Sequence, residues 1–174
     1  MADNRGRREF EEDELWDDDD DDAQKDKFLT FKIGEEDYGI PIGHVIEIVG
    51  IQKITEVPDM PDFVRGVINL RGQVIPVMDL RTRFKMPARD YDERTCVIVV
   101  RLEECSVGLV VDTVSEVISI PEGNISPPPS LSKTGSGRYI MGMGRVDNNV
   151  KILLDTTRLL YDRELEALVG VDAK

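Results

Sequence analysis

The sequence predicts a mainly β protein: two small closed or nearly closed β-barrels side by side, followed by a C-terminal helix. Short apolar runs with period-two alternation recur, with turn residues every 8–12 positions. Helical periodicity is confined to a short piece mid-chain and a longer one near the end, and one set of strand patterns occurs twice in the same order. At 174 residues the chain has the length for one core or two small ones packed together.

Residues 1–26 stand apart from that pattern. They carry 13 acidic side chains against 4 basic ones, so −9 of the chain's net charge of −13 lies there, and Asp17–Asp22 is an unbroken acidic run. Ordering a backbone costs about 1–2 kcal/mol per residue. The segment has only Phe10, Leu15 and Trp16 as large apolar groups to offset that cost. It reads as a disordered, solvating extension. A functional alternative is docking of Leu15-Trp16 on a basic, apolar partner surface. A calcium loop is weaker still, because the run lacks spaced ligands and a central glycine.

From Phe28 the pattern becomes strand-like. Phe28–Ile33 alternates, Gly34–Asp37 forms a turn, Tyr38–Ile42 resumes a strand, and Val45–Ile48 adds another. An irregular stretch with Pro58 and Pro61 follows. Val67–Leu70 and Val74–Met78 then make a hairpin with Arg71, Gly72 and Gln73 at its turn, where a glycine able to take positive φ sits beside a projecting cation. Asp79 is placed to cap a short helix over Leu80–Phe84, and Met86–Glu93 is a polar connector.

The order then repeats. Thr95–Leu102 is a continuous apolar strand, and Gly108–Val111 matches Gly39–Ile42 at a spacing of 69. The same spacing relates Val114 to Val45, Glu116 to Glu47, Val117 to Ile48 and Pro127 to Pro58. Further on a spacing of 76 relates Gly142 to Gly66, Val150 to Val74 and Asp155 to Asp79, which puts Asn148-Asn149 at a second hairpin turn. The difference is a seven-residue insertion within the Pro-, Ser- and Gly-rich loop 126–137. The copies predict a first β subdomain over about 28–86 and a second over about 95–154. A helix over about 155–169 follows, with Leu159, Leu160, Leu165, Leu168 and Val169 near helical spacing, and 170–174 is a tail. The helix is expected to cover an open barrel end, and a groove is expected where the barrels meet.

The composition excludes several function classes. A net charge of −13 opposes nucleic acid and anionic membranes. There is no run of about 18 apolar residues, so no direct membrane insertion is expected. Cys96 and Cys105 fit no metal-ligand spacing and read as reduced thiols of a cytoplasmic protein. His44 is the sole histidine, and no nucleophile lies near it in sequence. Asp112 and Glu116 form a possible carboxylate pair, but their apolar, strand-like surroundings favour a solvated face. The expectation is therefore a non-enzyme without cofactor, metal or small-molecule substrate. The competing class is a small hydrolase using His44 or Cys105. Recognition is the better reading. Arg71 either pairs with a nearby carboxylate, such as Asp79 or Glu47, or presents its planar fork to a partner, and the two are compatible. Val45 and Glu47 are expected to share a solvent-facing strand face and form a docking patch.

Residues 28–165 resemble the bacterial chemotaxis adaptor family CheW. The resemblance rests on YGIPIGHVIEI at 38–48, the prolines at 58 and 61, FVRGVINLRGQVIPVMDL at 63–80 and VGLVVDTVSEVISI at 107–120. It implies two SH3-like, five-stranded β-barrel subdomains packed side by side. It also implies a non-catalytic scaffold that couples the cytoplasmic tips of chemoreceptors to the regulatory domain of the histidine kinase CheA, recruited to membrane-associated receptor arrays. The alternative is the same role in a parallel chemosensory pathway, controlling pili or another output. By this resemblance Val45, Glu47 and Arg71 fall at receptor- or kinase-coupling positions, with Gly66, Asn69 and Gly72 on the same surface. The chain departs from the family pattern in its acidic extension, in its PPPS loop and in Pro41, which predicts an edge strand there.

Overall fold

The structure is a computed structural model that describes residues 25–102, 105–128 and 139–160. Its strands are β1 (Lys27–Ile33), β2 (Glu36–Pro41), β3 (Val45–Gly50), β4 (Val64–Leu70), β5 (Gln73–Asp79) and β6 (Cys96–Leu102). They continue as β7 (Cys105–Val111), β8 (Thr113–Ser119), β9 (Ile125–Ser126), β10 (Ile140–Val146) and β11 (Asn149–Leu154). Helix α1 (Leu80–Arg83) follows β5 and α2 (Thr156–Leu160) follows β11. Asp79 caps α1 as expected, its carboxylate accepting from the Arg81 N–H at 2.9 Å.

The strands form two sheets. One has the order β8-β1-β2-β11-β10-β9 and the other β3-β6-β7-β5-β4. The second is one continuous stretch, 45–111, inserted into the chain of the first; we call them the inserted and the split sheet. The sequence copies 28–86 and 95–154 are therefore not the units that close, and the expected subdomain boundaries are corrected. Each copy gives its first hairpin to one sheet and its remaining strands to the other. In the split sheet β1 pairs antiparallel with β8 and β2 parallel with β11. In the inserted sheet β6 pairs antiparallel with β3 and β7 parallel with β5. The arrangement is the same twice over, with the first hairpins exchanged. Period-two patterning states which face of a strand is buried, not which strand lies beside it.

Both sheets curl towards closure. Beyond β3, at one edge of the inserted sheet, Thr55 bridges to Val67 on β4 at the other edge. Beyond β8, the short β9 does the same in the split sheet, pairing Ser126 with Met143 of β10. Each unit is thus a five-stranded, nearly closed barrel plus one short bridging segment, which removes most of the exposed edge. Pro41 does not mark an edge strand. β2 lies between β1 and β11, but its β11 pairing covers only Tyr38 and Gly39, and Pro41 is its last residue. A proline is tolerated where the ladder on the β11 side has already ended.

The largest apolar cluster lies between the sheets and draws on both. Leu29, Phe31, Ile33, Ile40 and Leu154 of the split sheet meet Met78, Ile98, Val100, Leu109 and Val111 of the inserted one. Smaller clusters fill the barrels themselves: Ile68, Leu70, Ile75, Val77, Val97, Val99 and Val110 in one, Phe28, Ile120 and Leu153 in the other. The duplication is visible here as geometry. The Asp79 N–H donates to Phe63 O at 2.7 Å, and its counterpart Asp155 N–H donates to Tyr139 O at 2.7 Å. Arg83 and Leu159, also 76 apart in sequence, meet where the copies converge, the Arg83 Nη2 donating to Leu159 O at 3.4 Å. The buried guanidinium lies 4.1 Å from the Phe63 ring centre and 4.7 Å from that of Tyr139, two rings related by the same spacing. The C-terminal helix is present as α2; its expected continuation to 169, the extension 1–24 and most of the 126–137 loop lie outside the described residues.

Candidate functional site

The β4–β5 hairpin closes on the pair Leu70 and Gln73, leaving Arg71 and Gly72 as a two-residue turn. Both take positive φ, 54° and 84°, the turn whose twist matches that of the flanking strands. Gly72 does so without a steric cost, and Asn69 braces the turn by accepting the Gly72 N–H on Oδ1 at 2.8 Å. Asn69 is thus a turn residue as well as an exposed one. Asp147, at the matching place in the β10–β11 hairpin, has a φ of 55°, so the second copy keeps the left-handed first position of the turn, replaces the cation with an anion, and has Asn148 in place of Gly72.

From that turn Arg71 reaches Glu47 on β3. The fork is bidentate, with Nη1 to Oε1 at 2.6 Å and Nη2 to Oε2 at 2.8 Å. Because β3 and β4 are the two edges of the inserted sheet, this pair crosses the seam of the barrel. The Arg71 side chain is 74% exposed and that of Glu47 24%. Hydrogen bonds from Arg71, and then its charge, hold the Glu47 carboxyl below the usual carboxylate range against the opposing effect of burial. The same contacts raise Arg71 further above its ordinary value. The internal pairing and the exposure coexist. A fixed fork at a seam presents charge in a defined direction, with little side-chain freedom left to lose on binding.

The expected face of β3 is corrected. Val45 and Glu47 do not form the solvent-facing side; together with Val49 they point inward or along the seam and are half-buried, while Ile46 and Ile48 are 43% and 41% exposed. A register shift between Val45 and Glu47 accompanies this. The run VIEIV is apolar at both alternations, so periodicity alone could not choose. Val45 packs on the central cluster and Val49 on that of the inserted barrel, and these two contacts decide it. Val45 keeps an open side. It and its counterpart Val114, with Ile42, are half-buried residues packed against the central cluster at the two points where the chain crosses between sheets. Val74, beside the hairpin turn, is 64% exposed. Ile46, Ile48 and Val74 are therefore apolar surface that the sequence reading missed.

Gly66 belongs beneath this surface. It is buried at a β-bulge with φ 144°, and a Cβ there would lie 2.1 Å from the Thr55 carbonyl oxygen. It permits the closing bridge between Thr55 and Val67.

Asp112 and Glu116 do not pair. Asp112 accepts Arg81 Nε and Nη2, both at 2.8 Å, Arg89 Nη1 at 3.2 Å and the Gly34 N–H at 2.7 Å, whereas Glu116 is exposed on β8. Burial pushes the Asp112 carboxyl up, but the Arg81 hydrogen bonds, the Gly34 N–H and the two arginine charges more than reverse this and hold it low. His44 is exposed at the end of a 3₁₀ turn, and Cys96 and Cys105 are free thiols. Among the described residues no cluster of three or more His, Cys, Asp or Glu side chains could hold a metal, and no helix is long and apolar enough to cross a membrane.

A protein-family model described as the CheW-like domain matches residues 27–164, which span every strand above. The chain belongs to the CheW-like family. Within that family it is 42% identical over 148 residues to the chemotaxis protein CheW of Klebsiella aerogenes, covering 85% of this chain and 89% of the relative. Protein FrzA of Myxococcus xanthus is 30% identical over 144 residues, covering 82% and 89%. The crystal structure of the scaffolding protein TtCheW from Thermoanaerobacter tengcongensis superposes with a TM-score of 0.73 at 35% identity, covering 80% of this chain and 94% of that one. The CheW-like match begins at Lys27, so the acidic extension lies outside it.

Proposed function

We propose that this CheW-like protein is a non-catalytic adaptor of bacterial chemotaxis signalling, coupling the cytoplasmic tips of chemoreceptors to the regulatory domain of the histidine kinase CheA. The observation that carries the reading is the hairpin Gly66–Gly72, whose GVINLRG sequence carries the family resemblance and whose Arg71 is fixed by Glu47 across the barrel seam. A directed charge beside the apolar residues Ile46, Ile48 and Val74 suits the recognition of another protein, and the reading needs no reacting group. Val45, Glu47, Asn69, Arg71 and Gly72 are the partner-binding residues of this proposal, with Gly66 holding the turn's strand in place. The half-buried Ile42, Val45 and Val114 at the chain crossings are the apolar strip on which a receptor helix would lie. Signal would pass as a small shift in the bridged geometry. The protein would then be cytoplasmic and held at membrane-associated arrays through its partners.

A second reading keeps the adaptor chemistry and assigns it to a parallel chemosensory pathway. It draws on the similarity to Protein FrzA, a relative whose name sets it apart from the chemotaxis CheW proteins. The test is titration of isotope-labelled protein with a receptor tip fragment and, separately, with the CheA regulatory domain. Shifts at β3, the Arg71 turn and the crossing strip support the proposal. Failure of both partners to shift any of these residues would overturn it, and binding only to components of another pathway would favour the second reading.

A further inference from the structure

The connector between α1 and β6 lies against the inserted barrel without helix or strand, and of residues 87–94 all are exposed except the half-buried Tyr91. Both of its ends are tied. At one, Arg81 Nη1 donates to Pro87 O at 3.0 Å. At the other, the Asp92 N–H donates to Thr95 Oγ1 at 2.9 Å and Asp92 Oδ1 accepts the Arg94 N–H at 2.8 Å. Between them Tyr91 anchors the connector in a different way. Its hydroxyl donates to Asp79 Oδ2 at 2.6 Å, and its ring packs against the apolar cluster of the inserted barrel. Arg65, the residue before the Gly66 bulge, holds its guanidinium carbon 5.6 Å from the centre of that ring.

The carboxylate that receives the tyrosine is itself fixed. Asp79 is 3% exposed, donates its own N–H to Phe63 O and accepts the Arg81 N–H on Oδ1. Burial, and then the hydrogen bond and charge of Asp79, raise the Tyr91 hydroxyl above its ordinary value, so it remains a donor. The rest of the connector is held more loosely. Arg89 meets Asp112 at 3.2 Å and Asp92 at 2.9 Å, but its side chain is 48% exposed and water screens such pairs. The hollow beneath is about 10 Å³, room for about one water, and Asp79, Arg81, Thr95 and Asp112 are among the residues that border it. Lifting the connector therefore gives up little apolar burial beyond the Tyr91 ring, and the polar groups it leaves pass to water.

We propose that residues 87–94 form a strap that opens and recloses as one unit while both barrels stay folded, with the Tyr91–Asp79 hydrogen bond as its lock. Opening withdraws the tyrosine ring from the inserted barrel and exposes the carboxylate that caps α1. Local openings of this kind are read by amide exchange, which separates them from global unfolding. The experiment compares native-state exchange in the full-length wild type, Tyr91→Phe and Arg89→Ala. In Tyr91→Phe, which keeps the ring, the amides of Asp92, Arg94 and Thr95 are expected to exchange about tenfold faster or more, because a hydrogen bond to a charged group is lost. Amides of β6 and β7 should keep their wild-type rates, and Arg89→Ala should quicken the strap amides by less than about threefold. Native-state trypsin cleavage after Arg89 and Arg94, followed by mass spectrometry, should quicken in Tyr91→Phe by a factor similar to that of the strap amides. Unchanged strap amides in Tyr91→Phe overturn the proposal. Equal acceleration of strap and barrel amides overturns it too, because Tyr91 would then support the whole fold. So does an Arg89→Ala strap that opens as far as that of Tyr91→Phe, which would place the lock at Asp112.

Discussion

Arg71 combines three properties that are usually found separately: a left-handed backbone, high exposure and a bidentate internal partner. Exposed ion pairs add little to stability, so on the proposed function the value of this one lies in what it presents. Arg71→Glu and Glu47→Arg are each expected to leave the thermal midpoint nearly unchanged and to weaken co-sedimentation with receptor membranes and CheA by about tenfold. The double exchange should recover part of the loss, because the fork is rebuilt with opposite polarity. Normal co-sedimentation of both single variants would remove Arg71 and Glu47 from the binding surface. Gly66 makes the contrasting case. With φ 144° and a backbone oxygen 2.1 Å from any Cβ, Gly66→Ala is expected to cost about 3 kcal/mol or more through backbone strain. Gly142→Ala, where φ is not positive and a Cβ would meet the Ile125 side chain at 2.7 Å and the Ser126 carbonyl oxygen at 2.9 Å, should cost less. Urea denaturation of the two variants measures the difference, and equal losses would contradict the strain argument.

At the scale of elements, β3 is informative because its sequence left the choice of face open. Ile46→Glu and Ile48→Glu place charge on the exposed side and are expected to fold with near-normal stability while binding partners less tightly. Val49→Glu places charge where the half-buried Val49 packs against the cluster of the inserted barrel and should lower the thermal midpoint clearly more than either exposed variant. Circular dichroism melts of the three variants check the assignment, and a stable Val49→Glu would show the faces to be reversed. The β1–β8 pair illustrates how a local irregularity is resolved. Where its register shifts between Leu29 and Phe31, buried Thr30 takes over, its hydroxyl donating to Glu116 O at 2.7 Å and accepting the Glu116 N–H at 3.2 Å. A threonine in an apolar run reads as ordinary strand composition, so this role was not legible in the sequence.

For the molecule as a whole, the junction of the sheets is held by apolar packing and by Asp112, which stands between β7 and β8 where the chain returns to the split sheet. Its carboxylate ties the β1–β2 turn at Gly34 to Arg81 of α1. A depressed folded pKa means that the unfolded chain binds the proton more readily. The stabilisation is therefore complete above the ordinary carboxylate pKa of about 4 and is lost as pH falls through the lower folded value. The wild-type protein should lose stability as pH drops below about 4. Asp112→Asn should lose about 2–4 kcal/mol at neutral pH, by leaving Arg81 without its anion, and show a flatter acid limb. Urea midpoints measured from pH 7 to pH 3 test both statements; parallel curves for the two proteins would exclude Asp112 as the titrating group. Deleting residues 1–24, which precede the matched domain, is expected to shift the melting temperature by no more than roughly 2 °C. A larger drop would mean that the extension packs on the barrels.

The sequence alone determined the class of fold, the duplication, the hairpin turn at Arg71-Gly72 and the cap at Asp79. These depend on residue type at short range: period-two burial, the φ that glycine allows and a carboxylate one residue before a helix. Even Glu47 stood among the two carboxylates considered for Arg71, because both residues lie in runs readable as strand and turn. Only the tertiary structure decided which strands lie side by side, and so revealed that the copies exchange hairpins and that 45–111 is an insertion. It also decided the face of β3 and the burial of Gly66. In each of these the local pattern is satisfied equally by two arrangements. The choice between them is made by contacts with distant residues: Val45 and Val49 with two different clusters, Gly66 with the carbonyl of Thr55, and β1 with a strand more than eighty residues away.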